Sequence, residues 1–245
     1  MTCPRLRSYL PAIVMMASAV TAHASTIYYA DWTAATLSTP AADGSASGTI
    51  TTPTGILSIS YTGDVGLWTQ VNNAGIDYYS PFPSVYTNAT VSNLPASVDI
   101  ITLSQTKAYT NTLVFSAAVT NPILDLVSLG AIWAPVSYNF NATPLLLSQS
   151  AGYGGCGSCL SVSSNTLTGT EGNGVVEFVG TFNQLSWTTT GVEQWNGFTV
   201  GVAGMADGTN NADTSTPEPA SWTVLLMAAV MGMPLARRHI RKLSN

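Results

Sequence analysis

Glu171, Glu177 and Glu193 fall in one stretch of this sequence, and they are the side chains whose type and spacing could do chemistry. Glycoside hydrolysis needs only two carboxyl groups flanking a sugar bond, so three acids so close in the chain make a candidate set. In Val175-Val176-Glu177-Phe178-Val179, period-two alternation puts Glu177 on the face of Val175 and Val179. Glu171 belongs to a glycine-rich turn, Gly169-Thr170-Glu171-Gly172-Asn173-Gly174, and Glu193 stands two residues before Trp195.

Carboxylate chemistry stands out because histidine chemistry is missing. The two histidines, His23 and His239, sit in the terminal segments. Residues 25–216 therefore hold no imidazole for a Ser-His-Asp or Cys-His system, or for a histidine zinc site. Cys156 and Cys159 form a CxxC among Gly and Ser, without cations or a helix start to depress a thiol pKa. Two thiols do not make a zinc site, so a local disulfide is expected, contributing at most about 2 kcal/mol. Asp207-Gly208-Thr209-Asn210-Asn211-Ala212-Asp213 is rich in oxygen ligands but misses the EF-hand spacing and reads as a solvated linker. No catalytic residue, metal or cofactor is assigned.

The elements that would position these residues are strands. Leu57, Ile59 and Tyr61 alternate with Ser58, Ser60 and Thr62, the pattern of a half-buried strand. Similar runs recur at 26–32, 48–52, 65–71, 98–103, 110–116, 123–129, 136–140, 145–149, 160–163, 175–182, 184–189 and 198–203, with no convincing helix. A dozen short runs predict an all-β, antiparallel two-sheet sandwich of jelly-roll or Greek-key type over residues 25–206. Asn72 to Ser84 is expected as a surface loop with Tyr78 to Phe82 exposed. Most of Trp32, Trp68, Trp133, Trp187 and Trp195 are expected in the core.

Charge is distributed unevenly. Of seven Lys and Arg, only Lys107 lies in residues 25–216, against eleven of the twelve acids, a net charge of −10 there. Such a surface repels phosphate backbones, so nucleic acid is excluded as a partner.

The termini have their own logic. Arg5 and Arg7 precede an apolar stretch from Tyr9 to Val20 and a small-x-small site at Ala22-His23-Ala24, so signal peptidase is expected to cut between Ala24 and Ser25. At the other end, Pro217-Glu218-Pro219 precedes an uncharged run, 220–236, and then Arg237, Arg238, Arg241 and Lys242. Seventeen helical residues span about 25 Å, slightly short of a hydrocarbon core of about 30 Å. The cations after them resist translocation. The triplet, short apolar run and basic stop, in that order, resemble the PEP-CTERM sorting signal of Gram-negative bacteria.

That resemblance implies export, transient anchoring in the inner membrane and release by an exosortase at the triplet. The mature protein would then reside at the cell surface or outside the cell, in association with exopolysaccharide or biofilm. Asn121-Pro122-Ile123-Leu124, Phe178 to Phe182, Leu185-Ser186-Trp187 and Trp195 to Val202 are also similar to the β-sandwich ectodomain common among such proteins. The expected organisation is a signal peptide (1–24), a β body (25–206), a polar linker (207–216) and a sorting segment (217–242). The expected function is a non-catalytic surface or matrix protein. The alternatives are a glycan-binding module using exposed aromatics and a carboxylate-dependent glycoside hydrolase.

Overall fold

A computed structural model describes residues 24–104, 109–155 and 159–206. Residues 1–23 of the signal segment, Cys156, the linker and the whole sorting segment lie outside the described residues. The strands are β1 (Tyr28–Thr36), β2 (Gly44–Thr52), β3 (Gly55–Gly63), β4 (Ile101–Leu103), β5 (Thr110–Thr120), β6 (Ile123–Leu129), β7 (Val136–Phe140), β8 (Leu145–Ala151), β9 (Leu160–Ser163), β10 (Thr166–Gly169), β11 (Gly172–Glu177), β12 (Thr181–Thr190), β13 (Asn196–Val202) and β14 (Gly204–Met205). One short helix, α1 (Pro83–Tyr86), interrupts them. Among the described residues no helix is long and apolar enough to cross a membrane.

The all-β, antiparallel class holds, but hydrogen bonding does not stop between two sheets. All strands belong to one sheet ordered β8-β11-β6-β13-β1-β2-β3-β5-β12-β7-β10-β9, with β4 and β14 attached beside this path. The seam is β1: Tyr28 and Tyr29 pair with β13, whereas Ala30 onward pairs with β2 across a bulge between Trp32 and Ala34. The change of partner falls between Tyr29 and Ala30, ahead of the bulge, which bends and twists the strand further along. The outer strands β8 and β9 come close, giving a nearly closed, barrel-like body.

The larger half, β2 to β12, has one face in water. In β3, Leu57, Ile59 and Tyr61 are buried between exposed Ile56, Ser58, Ser60 and Thr62, as alternation demands. The inward residues surround Trp187, whose ring lies 5.4 Å from Phe198, 5.5 Å from Phe140, 5.8 Å from Tyr138 and 5.9 Å from Tyr61.

The smaller half is covered on both faces, so β6 and β13 are buried at every position. Leu124 and Leu126 face the main core, while Ile123 and Val127 face a second core with Tyr79, Val85 and Tyr86. This second core lies under the strap between β3 and β4, residues 64–100. Tyr78 to Phe82 is therefore no exposed patch: Tyr79 is buried, and Tyr78 and Phe82 pack half-buried against the second core.

Polar side chains fasten the strap in place. Asp99 accepts hydrogen bonds from the Trp32 amide (3.0 Å) and the Asn73 amide (2.7 Å). Asn93 accepts from the Ile27 amide at 2.8 Å and donates to its carbonyl at 3.0 Å. The Tyr86 hydroxyl donates to the Leu126 carbonyl at 2.9 Å.

Two expected strands fail. Residues 65–71 form turns, with only Gln70 bridging to Ile100. Adjacent Leu67 and Trp68 both point outward, so no alternating face is buried. The run 175–182 breaks at Phe178-Val179-Gly180. There Gly180 has φ 129°, and Asn121 clasps it with its amide and side chain, both at 2.8 Å. Only glycine adopts that backbone without strain, and the chain turns the corner from β11 to β12.

Candidate functional site

Strand registers define two ends of the body. β12 runs from Thr181, opposite Thr120, to Thr188, opposite Thr110, and its last residue, Thr190, faces Ser137. The turns following Gly63, Leu129, Gly169 and Thr190 gather at the Thr190 end. Ala206 lies at the other end, donating its amide to the Ala118 carbonyl at 2.8 Å, and β1 starts there opposite Val202. The Thr190 end is called the far rim below.

The far rim brings together two of the three candidate glutamates. Glu193 accepts from the Gly130 amide (2.7 Å) and the Asn196 side-chain amide (2.8 Å). Burial pushes its carboxyl up to about 8; those two hydrogen bonds oppose the shift and the nearby Glu171 charge adds to it. Glu171 accepts from the Ser128 hydroxyl and lies against Gly152 and Gly154. Its φ of 76° is unusual for a side-chain-bearing residue, and its amide is held by the Leu129 carbonyl at 2.8 Å.

Glu177 is not part of this group. It ends β11 at the opposite end from Glu171, six residues along, roughly 20 Å away at strand rise. Burial raises its carboxyl as well. The three acids therefore form no common set. Both rim glutamates use oxygens to hold turns, and among the described residues no group of three or more acidic, cysteine or histidine side chains could hold a metal.

The aromatic residues divide differently from expectation. Of the five tryptophans among the described residues, Trp32 and Trp187 are core. Trp133 is 86 % exposed and Trp68 63 % exposed, both on far-rim turns, because turns offer no inward face. Trp195 is half-buried, its ring 5.1 Å from Tyr78. Tyr153, in the turn against Glu171, continues the row 5.9 Å from Tyr78 and 5.1 Å from Phe82. Leu67, Ile132 and Val192 are also exposed, on turns at the same end.

Sequence reading passed over Ser128, Gly130, Asn173 and Asn196, which tie the two acids to the scaffold. Asn173 accepts from the Ser128 amide at 2.8 Å, and Asn196 accepts from the Tyr138 hydroxyl. These residues are joined only by pairing between β6, β11 and β13, which no local pattern announces. Asp125 was also passed over, although an acid inside the apolar run 123–129 was a visible signal. It is fully buried, and neither oxygen has a partner within hydrogen-bond distance. The Tyr29 hydroxyl is near enough to favour ionisation, yet burial outweighs it and raises the Asp125 carboxyl well above its usual range.

A shallow depression on the outer face of β1, β2, β3 and β5, lined by Thr33, Ser47, Ser58, Ser60, Val114 and Ser116, contains no acid. Cys159 is disulfide-bonded and buried, and its expected partner Cys156 lies outside the described residues. Comparison with family models, curated proteins and solved structures finds no match to this chain.

Proposed function

We propose that this chain is an exported bacterial surface protein without catalytic activity. In this reading the signal segment ends at Ala24, where signal peptidase cuts. An exosortase recognises Pro217-Glu218-Pro219 and releases the body from its apolar run, and the mature protein resides among exopolysaccharide. The observation that carries it is the order of triplet, uncharged run and four cations in 217–242. Two prolines deny that stretch backbone donors and keep it extended, so a helix in 220–236 cannot propagate back over the triplet.

The body is consistent with that role. The halves of its curled sheet act as the two layers of a sandwich, and its described C-terminal residue leaves from the end opposite the far rim. Trp133 and Trp68 stand exposed on far-rim turns. Those exposed rings favour glycan binding as the second reading. The hydrolase reading loses ground because Glu171 and Glu193 are engaged in holding turns and Glu177 is remote.

Mass spectrometry of the envelope-fraction protein tests the export half. The mature chain is expected to begin at Ser25; an intact Met1 start would sink the signal-peptide assignment.

A further inference from the structure

We propose that the far rim docks a cationic amino-sugar polysaccharide, whose rings lie on Trp133 and Trp68 and whose ammonium groups settle beside Glu193 and Glu171. This deepens the exopolysaccharide contact proposed above and rests on that reading. Five large apolar side chains, Leu67, Trp68, Ile132, Trp133 and Val192, stand exposed on turns at this one end. Exposed apolar groups gathered in this way mark interaction surfaces rather than ordinary scatter. The last described residue, Ala206, lies towards the opposite end, its amide on the Ala118 carbonyl.

The turns that carry the rings are held by their backbones. Trp133 sits in a turn closed in both directions, Ala131 amide to Ala134 carbonyl at 3.0 Å and the reverse at 2.9 Å. The Trp68 turn is fixed by the Gly66 amide on the Thr102 carbonyl at 2.6 Å, next to the strand that pairs with Asn196. Preorganised flat faces lose little entropy on binding, and the apolar face of a pyranose covers an indole.

Charge selects the class of sugar. Residues 25–216 carry eleven carboxylates and one lysine, so an anionic polymer is repelled and a cationic one attracted. At the rim burial, and to a lesser degree the Glu171 charge, disfavours ionisation of Glu193, and an ammonium group beside it favours the charged form. An ammonium close to an indole face adds a cation–π attraction. A basic peptide has the right charge, but peptides dock by strand addition or in grooves, and this margin is made of turns.

The test is calorimetric titration of the full chain, purified in non-ionic detergent, with glucosamine hexamer, N-acetylglucosamine hexamer and a lysine-rich peptide. The glucosamine hexamer is expected to bind at least about tenfold more tightly than the acetylated one, since acetylation removes the charge. Trp133→Ala is expected to weaken it about tenfold, with unchanged circular dichroism because the ring is exposed. Glu193→Gln, which keeps the acceptor for Gly130 and Asn196, is expected to weaken it about threefold or more. Equal binding of the two hexamers, tighter binding of the peptide, or indifference to Trp133→Ala would each overturn the proposal. None of those results touches Ser25 as the mature start, so failure here is distinct from failure of the export reading.

Discussion

Asp125 shows how a single residue can set the pH response of the fold. It is buried in the second core among Tyr29, Tyr79 and Tyr86, with both oxygens unpartnered. Its folded pKa is raised well above the unfolded value. Below the unfolded pKa both states hold the proton and the residue costs nothing through ionisation. As pH rises past it, the unfolded chain releases a proton that the folded chain retains, so stability falls until the folded pKa is reached. Asp125→Asn removes that dependence while keeping shape. Urea unfolding is expected to show the variant more stable than wild type by about 1–3 kcal/mol at pH 8, with the gap closing towards pH 4. A gap unchanged between those two pH values would refute the assignment. The sequence offered a hint here, a lone acid in an apolar run. It offered none for Glu171 meeting Glu193, because their proximity arises from β6 pairing with both β11 and β13.

The strap is the element whose attachment decides whether the smaller half keeps two covered faces. Without it, the second-core side of β6, β11 and β13 would face water. Asp99 is its main clasp, accepting from β1 and from the strap itself. Asp99→Ala leaves the buried Trp32 amide and the part-buried Asn73 amide without their acceptors and is expected to cost about 1–3 kcal/mol in urea unfolding, with Asp99→Asn costing less because one acceptor remains. Equal losses for the two variants would mean that the carboxylate does not hold the strap. Strands were legible where solvent and core divided a face cleanly, as in β3, or where an apolar run was covered on both sides, as in β6. They were misread where a glycine corner interrupts a β-like composition at Gly180. They were misread again where the alternating run 65–71 is a turn with its apolar residues outside. The strap's burial was not legible either, because turn residues around Tyr79 suggest solvent while its ring reaches a core supplied by distant strands.

The described strands form one continuous sheet, and no local signal could have said so. The recurring short alternating runs predicted the class, but the single path depends on β1 pairing with two partners. The same topology puts the exposed aromatic turns at one end and Ala206, beside Ala118, towards the other. The central claim is sorting through Pro217-Glu218-Pro219, and replacing Pro217 and Pro219 by Ala tests it most directly. Membrane and surface fractions of cells expressing each form are compared by quantitative blotting and intact mass. The account predicts wild-type protein at the surface with its C-terminal segment removed, and the variant inserted but uncut, accumulating at full length in the inner membrane. Equal surface delivery of both forms, with the same C-terminal mass, would contradict it.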